Sequence, residues 1–136
     1  MDVHTIARRY AEDLWGKGDL ALVVQLLAPD IVEHSNFLTP QPGIKGHKAT
    51  LSHFRAAFPD WRETAEDIVV DGSLAMVRWS GQGTHQGEIL GIPATGKPVT
   101  LTGMDILRIA NGKIVERWAE VNVFGLLQQL GVIPSA

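Results

Sequence analysis

Three observations predict an α+β fold in which helices cover one face of a strongly curved, mostly antiparallel sheet. The first part of the chain carries apolar residues at intervals of three and four, and from Trp61 onward apolar and polar residues alternate. Two short motifs, Asp71-Gly72-Ser73 and Ala110-Asn111-Gly112, join consecutive alternating runs. The first period is that of a helix with one buried face, the second that of a strand. Strands joined by such turns are antiparallel neighbours, and helices that precede a meander segregate to one of its faces. A sheet bent around its own helices forms a cone, and a cone offers a pocket.

The elements follow in order. Val3, Ile6, Ala7, Tyr10, Ala11, Leu14 and Trp15 form one apolar stripe, which predicts an opening helix broken by Gly16 and Gly18. Asp19 is placed to cap a second helix, in which Leu22, Val23, Leu26 and Leu27 share a face before Pro29 stops it. Asp30 to Phe37 reads as a short extended piece. Leu38 to Gly46, with two prolines and two glycines, reads as loop, and the helix after it sets Leu51, Phe54 and Phe58 on one side before Pro59. The alternating half divides into strands Trp61 to Val70, Leu74 to Glu88, Val99 to Ile109 and Lys113 to Val121. Asn122 then caps a last short helix carrying Phe124, Leu127 and Leu130, which Gly131 ends.

At 136 residues the chain suits one domain, 1–136, large enough to bury a core. Its 12 basic and 15 acidic residues leave a net charge of -3 with no basic block, which speaks against a nucleic-acid partner. The absence of cysteine excludes disulfides, thiolate nucleophiles and thiolate metal sites. No apolar run is long enough to cross a membrane and the first residues lack a signal core, so a cytoplasmic protein is expected. The five histidines form no HExxH pattern, and neither a phosphate-binding loop nor a GxSxG elbow occurs. No metal and no cofactor is expected.

The candidate chemistry centres on Asp105. In the strand Val99 to Ile109, Gly103, Asp105 and Leu107 point one way and Met104, Ile106 and Arg108 the other. A carboxylate on an apolar wall is costly unless it is paired, so Asp105 is either satisfied by neighbouring amides or an arginine, or it faces water and a ligand. In the preceding strand Ala75, Val77, Trp79, Gly81, Gly83 and His85 share a face whose small residues leave space. For His85 two readings are open: it stands at the end of that wall, or the glycines mark a bulge and it lies on the surface. Glu116 can pair with Arg108 across the last hairpin, and Trp118 can be core or ligand contact. Glu33, His34, Ser35 and Asn36 form a polar knot that suits either a pocket mouth or a solvated turn.

The stretch from Phe54 to Gly131 resembles the SnoaL-like polyketide cyclase family of the NTF2-like superfamily. The resemblance rests on Ala57-Phe58-Pro59-Asp60, on Gly83 to Glu88 (GTHQGE), on Gly91 to Lys97 (GIPATGK), on GMDILRI from Gly103 with NGKIVERW from Asn111, and on QQLG from Gln128. It implies a cone-shaped NTF2-like fold and a cofactor-independent enzyme that closes the last ring of an aromatic polyketide by intramolecular aldol condensation. It further implies Asp105 as the catalytic acid and base and His85 as a second catalytic group. The mouth residue falls at His34 or Asn36. Phe37, Trp79, Met104 and Trp118 would offer flat apolar contact to a hydrophobic, polycyclic small molecule. A homodimer through the open sheet face is expected. Other acid/base enzymes share this cone, including isomerases and epoxide hydrolases; the latter use an Asp, Arg, Asp group, and Arg78 and Arg108 lie on the faces opposite Asp105. A binding protein without chemistry would look the same in sequence.

Overall fold

A computed structural model of the chain describes residues 1–35, 38 and 41–135. Helix α1 (Val3–Arg9) starts at Asp2, whose carboxylate accepts from the Thr5 amide at 2.7 Å, and runs directly into a π-helical segment, Tyr10–Trp15. The predicted opening helix is therefore one rod whose second half is wound wider. That half buries Tyr10, Ala11, Leu14 and Trp15 together. Helix α2 (Leu22–Leu26) follows, and the chain passes at once into strand β1 (Leu27–Glu33). β1 begins three residues earlier than the extended piece predicted from Asp30 and contains Pro29, tolerated because β1 is an edge strand with one unpaired side.

Helix α3 (Gly43–Ala57) also starts earlier than the loop assignment allowed, and it buries His47, Leu51 and Phe54. Strands β2 (Arg62–Asp71), β3 (Leu74–Thr84), β4 (Pro98–Ala110) and β5 (Lys113–Val121) form the predicted meander, with Asn111 and Gly112 at positive φ in the last hairpin. The sheet order is β1-β5-β4-β3-β2, with β1 parallel to β5 and every other pair antiparallel. β3 ends at Thr84 and not at Glu88, because His85 turns away to exchange backbone hydrogen bonds with Lys97 and Gly96. Helix α4 (Val123–Gln129) is capped by Asn122 as predicted, but it turns Leu126 and Leu130 inward and leaves Phe124 exposed. No helix among the described residues is long and apolar enough to cross a membrane.

Register decides which side chains meet. One inner row runs Val77, Asp105, Ala119; the next runs Trp79, Gly103, Val121; a third runs Leu107, Arg117, Glu33. β5 carries a bulge, because Arg108 pairs with Glu116 while Ile109 pairs with Ile114, leaving Val115 extra. An unbulged hairpin would set Trp118 opposite Asp105; the extra residue shifts the register by one, so Arg117 and Ala119 face inward and Trp118 outward. The inner face is not open at its glycines. A Cβ at Gly81 would lie 2.1 Å from the Trp61 ring and one at Gly103 2.4 Å from the Trp79 ring, so the room these residues leave is filled by two indoles.

Candidate active site

Asp105 lies on the inner face, 5% exposed, and its carboxylate has two donors. Trp79 Nε1 donates to Oδ1 and Arg117 Nε to Oδ2, each at 3.3 Å. Arg117 continues the chain of contacts, its Nη1 donating to Glu33 Oε1 at 2.7 Å. His47 Nδ1 stands 3.2 Å from Glu33 Oε2, and Tyr10 Oη 3.3 Å from His47 Nε2. The carboxylate can only accept, so His47 donates from Nδ1 and receives the Tyr10 hydroxyl proton at Nε2. The guanidinium also lies over the rings of Tyr10 at 5.7 Å and Trp15 at 5.8 Å.

These groups come from the π segment, β1, α3, β3, β4 and β5, and the register explains the central pair. Arg117 is the direct cross-strand neighbour of Glu33 and sits one diagonal step from Asp105. Burial acts against the Arg117 charge, but the carboxylates of Asp105 and Glu33 beside it outweigh burial and strengthen its hold on the proton. Burial would raise the Glu33 carboxyl, yet the His47 hydrogen bond and the Arg117 charge bring it below the usual glutamate value. Burial lowers His47 more than Glu33 raises it, which keeps the imidazole neutral, and burial likewise holds Tyr10 as a neutral phenol.

Two small cavities flank Arg117. One, with room of about 20 Å³, is lined by Trp15, Phe54, Glu63, Trp79, Leu101, Asp105, Arg117 and Val121. The other, about 30 Å³, is lined by Trp15, Arg117, Glu33 and His47 together with Ser35, Leu38 and Gln41. Each has space for one or two water molecules. Trp15 belongs to both.

The remaining predicted residues are placed elsewhere. His85 is fully buried but lines neither cavity; its Nδ1 accepts from the Thr95 amide at 3.2 Å and its ring packs on Phe58, so it pins the loop between β3 and β4. Met104 and Trp118 lie on the outer face, opposite Asp105. With His34, Met76, Ile106 and the edge of Trp79 they line an open concavity of about 780 Å³. His34 stacks on Trp118 at 4.8 Å and bonds Glu116 at 2.7 Å. The predicted Arg108 to Glu116 pair forms at 3.2 Å. Asn36 and Phe37 lie outside the described residues. Sequence reasoning missed Arg117, Glu33, His47 and Glu63 as partners of Asp105. Arg78 and Arg108 do face away, but Arg117 supplies the inward arginine. Among the described residues no three His, Asp or Glu side chains form a metal-ligand set.

A curved sheet closed by helices over the buried Asp105 and Arg117 and the half-buried Glu33 defines the class: an NTF2-like α+β cone with a polar site at its centre. The chain belongs to the SnoaL-like polyketide cyclase family, whose model matches residues 5–130. TsrD from Streptomyces laurentii has a similar structure, with 28% identity, a TM-score of 0.88 and coverage of 98% of this chain and 99% of that one. IdmH from Streptomyces antibioticus, a proposed polyketide cyclase, is 34% identical with a TM-score of 0.77 over 93% and 96% of the two chains. AclR from Streptomyces galilaeus, a proposed hydroxylase, is 27% identical with a TM-score of 0.80 over 98% and 80%. No curated protein matches the sequence.

Proposed function

We propose that this protein is a cytoplasmic, cofactor-independent polyketide cyclase that closes a ring of an aromatic polyketide-type keto ester by intramolecular aldol condensation, with Asp105 as its acid/base group. The observation that carries this reading is the placement of the Asp105 carboxylate, held by Arg117 and Trp79 on the wall of an inner cavity. A carbon between two carbonyls is acidic enough for a carboxylate within about 3 Å to take its proton. The enolate then attacks the second carbonyl carbon, and the alkoxide formed there needs a proton back. Arg117 and Trp79 hold the Asp105 carboxylate in one orientation, and the apolar walls formed by Trp15, Phe54, Trp79 and Leu101 exclude bulk water.

The inner cavities are far smaller than a polycyclic molecule. Binding therefore requires the lining to part, and the side bounded by Ser35, Leu38 and Gln41 is the mouth in this reading. A second copy of the chain would cover the outer face, where Met76, Met104 and Ile106 are exposed around the concavity. The test of function is stereoselective ring closure of an anthraquinone-type β-keto ester, read as product chirality against a protein-free control. Closure by the wild type and its loss in folded Asp105→Asn and Asp105→Ala supports the reading; a racemate at the buffer rate rejects it.

One observation favours a second reading. Arg117 lines both water-sized cavities, with Asp105 on one and Glu33 on the other, and the three form the carboxylate, arginine, carboxylate arrangement that suits activation of water, as in epoxide opening. Hydration of a small cyclic epoxide by the wild type, with no ring closure of the keto ester, would select it.

A further inference from the structure

We propose that Glu63 is a second catalytic residue of this site, a general acid that shares a cavity with Asp105 and delivers a proton to the oxygen on which charge develops. The proposal rests on the acid/base reading above and changes one step of it, since the return of the proton passes to Glu63.

The geometry places Glu63 on β2, at the opposite side of the cavity lining from β5, and its side chain and Asp105 line the same cavity of about 20 Å³. Glu63 Oε1 accepts from Trp61 Nε1 at 3.2 Å. Its other oxygen makes no hydrogen bond among the described residues, in contrast to Asp105, both of whose oxygens have N–H donors. An uncharged carboxyl has one O–H to give and needs an acceptor for it; the cavity, with room for a water or a substrate oxygen, is where that acceptor would stand.

The charged groups facing Glu63 are Asp105 from β4, Arg117 from β5 and Glu12 from the π segment, whose carboxylate accepts from the Ala65 amide at 3.0 Å. Burial first, and the Asp105 charge second, hold the Glu63 carboxyl well above the usual glutamate range, against the weaker pull of Trp61 and Arg117. Asp105 has only donors on its two oxygens, the Arg117 guanidinium and the Trp79 N–H, so it is placed as the carboxylate of the pair. Two carboxyl groups that share a cavity but stand among different partners divide the acid and base roles between them.

The cycle balances. Asp105 takes the activated C–H proton, and the C–H electron pair becomes the enolate. The enolate forms the new C–C bond as the carbonyl π bond opens to an alkoxide. The alkoxide takes the Glu63 proton, which leaves Asp105 protonated and Glu63 ionised, and a proton moving from Asp105 to Glu63 through a cavity water restores the start. Nothing is oxidised or reduced.

Two measurements on the full chain test this. Carboxyl-carbon NMR of 13C-glutamate-labelled protein, assigned with Glu63→Gln, follows the protonation of Glu63 against pH. The expected result is a Glu63 carboxyl that keeps its proton well above the ordinary glutamate range and titrates at lower pH in Asp105→Asn, where the neighbouring carboxylate is gone. A Glu63 carboxyl that ionises in the ordinary range overturns the proposal, whether or not any substrate turns over. In the ring-closure assay Glu63→Gln, which keeps an oxygen for Trp61, should lower kcat by about 10² or more and abolish the alkaline limb of the kcat/KM profile. An unchanged profile in a folded Glu63→Gln overturns the assignment. A neutral Glu63 in a wild type that closes no ring rejects cyclisation instead, and leaves the acid in place for the water-adding reading.

Discussion

The two faces of β3, β4 and β5 carry opposite solutions to the same problem. On the inner face Trp79, Asp105 and Arg117 are buried, in contact, and leave cavities of about 20 and 30 Å³. One residue along each strand, Arg78, Met104 and Trp118 look outward over a concavity of about 780 Å³. Charges inside are paired because an isolated buried charge costs several kcal/mol, whereas the exposed Arg78 to Asp67 pair at 2.6 Å stands in water. The difference teaches that size of cavity and site of chemistry are separate here. The wide apolar face suits association and the narrow polar one suits proton transfer.

The contrast breaks most sharply at the two arginines. Replacing Arg117 by Met strands two carboxylates and should cost roughly 3–5 kcal/mol in urea unfolding. Arg78→Met, with the same change of side chain on the exposed face, should cost about 1 kcal/mol or less. Equal costs would mean that the Glu33, Arg117, Asp105 cluster is not a unit. Next comes Gly103→Ala, whose Cβ would meet the Trp79 ring at 2.4 Å and the Glu120 carbonyl at 2.7 Å. It should cost about 1–3 kcal/mol, against about 0.5 kcal/mol or less for Thr102→Ala beside it. On the outer face Met104→Glu should abolish self-association in sedimentation while changing monomer stability by about 0.5 kcal/mol or less. A wild type that is monomeric at every concentration removes the dimer.

A smaller and more specific effect separates two glutamates that share the inner face. Glu33 holds its proton more weakly in the fold than its ordinary value of 4.5, so its contribution to stability is complete above that value and is lost as pH falls through the folded one. Glu63 holds its proton more strongly, so its contribution is complete below 4.5 and is lost as pH rises toward its folded value. Urea midpoints measured against pH should therefore flatten below 4.5 in Glu33→Gln and above 4.5 in Glu63→Gln. Interchanged sides would contradict the electrostatics described for the cavity.

Much of this was legible in the amino-acid order. Alternation alone set Ala75, Val77 and Trp79 with Asp105 on one wall, and Asn111-Gly112 and Asn122 marked the last hairpin and the last helix. What escaped was whatever depended on register or on distant elements. A single extra residue at Val115 reverses β5, which is why Trp118 looked like a cavity residue and Arg117 did not. Glu33 and Arg117 are 84 residues apart and meet only because β1 adds in parallel beside β5. His47 fell at the start of a helix that followed a loop-like run, with nothing local to say that it would be buried against Glu33. The glycines of β3 and β4 suggested empty space because sequence shows where a Cβ is missing and not which indole fills the gap.

The central claim is that Asp105 moves a proton at carbon, and exchange tests it without requiring ring closure. The β-keto ester is held in D2O with protein, and loss of its activated C–H signal is followed by NMR. The account predicts exchange well above the buffer rate with wild type, reduced by about 100-fold or more in Asp105→Asn that remains folded. An Asp105→Asn protein that exchanges the proton as fast as wild type would contradict it.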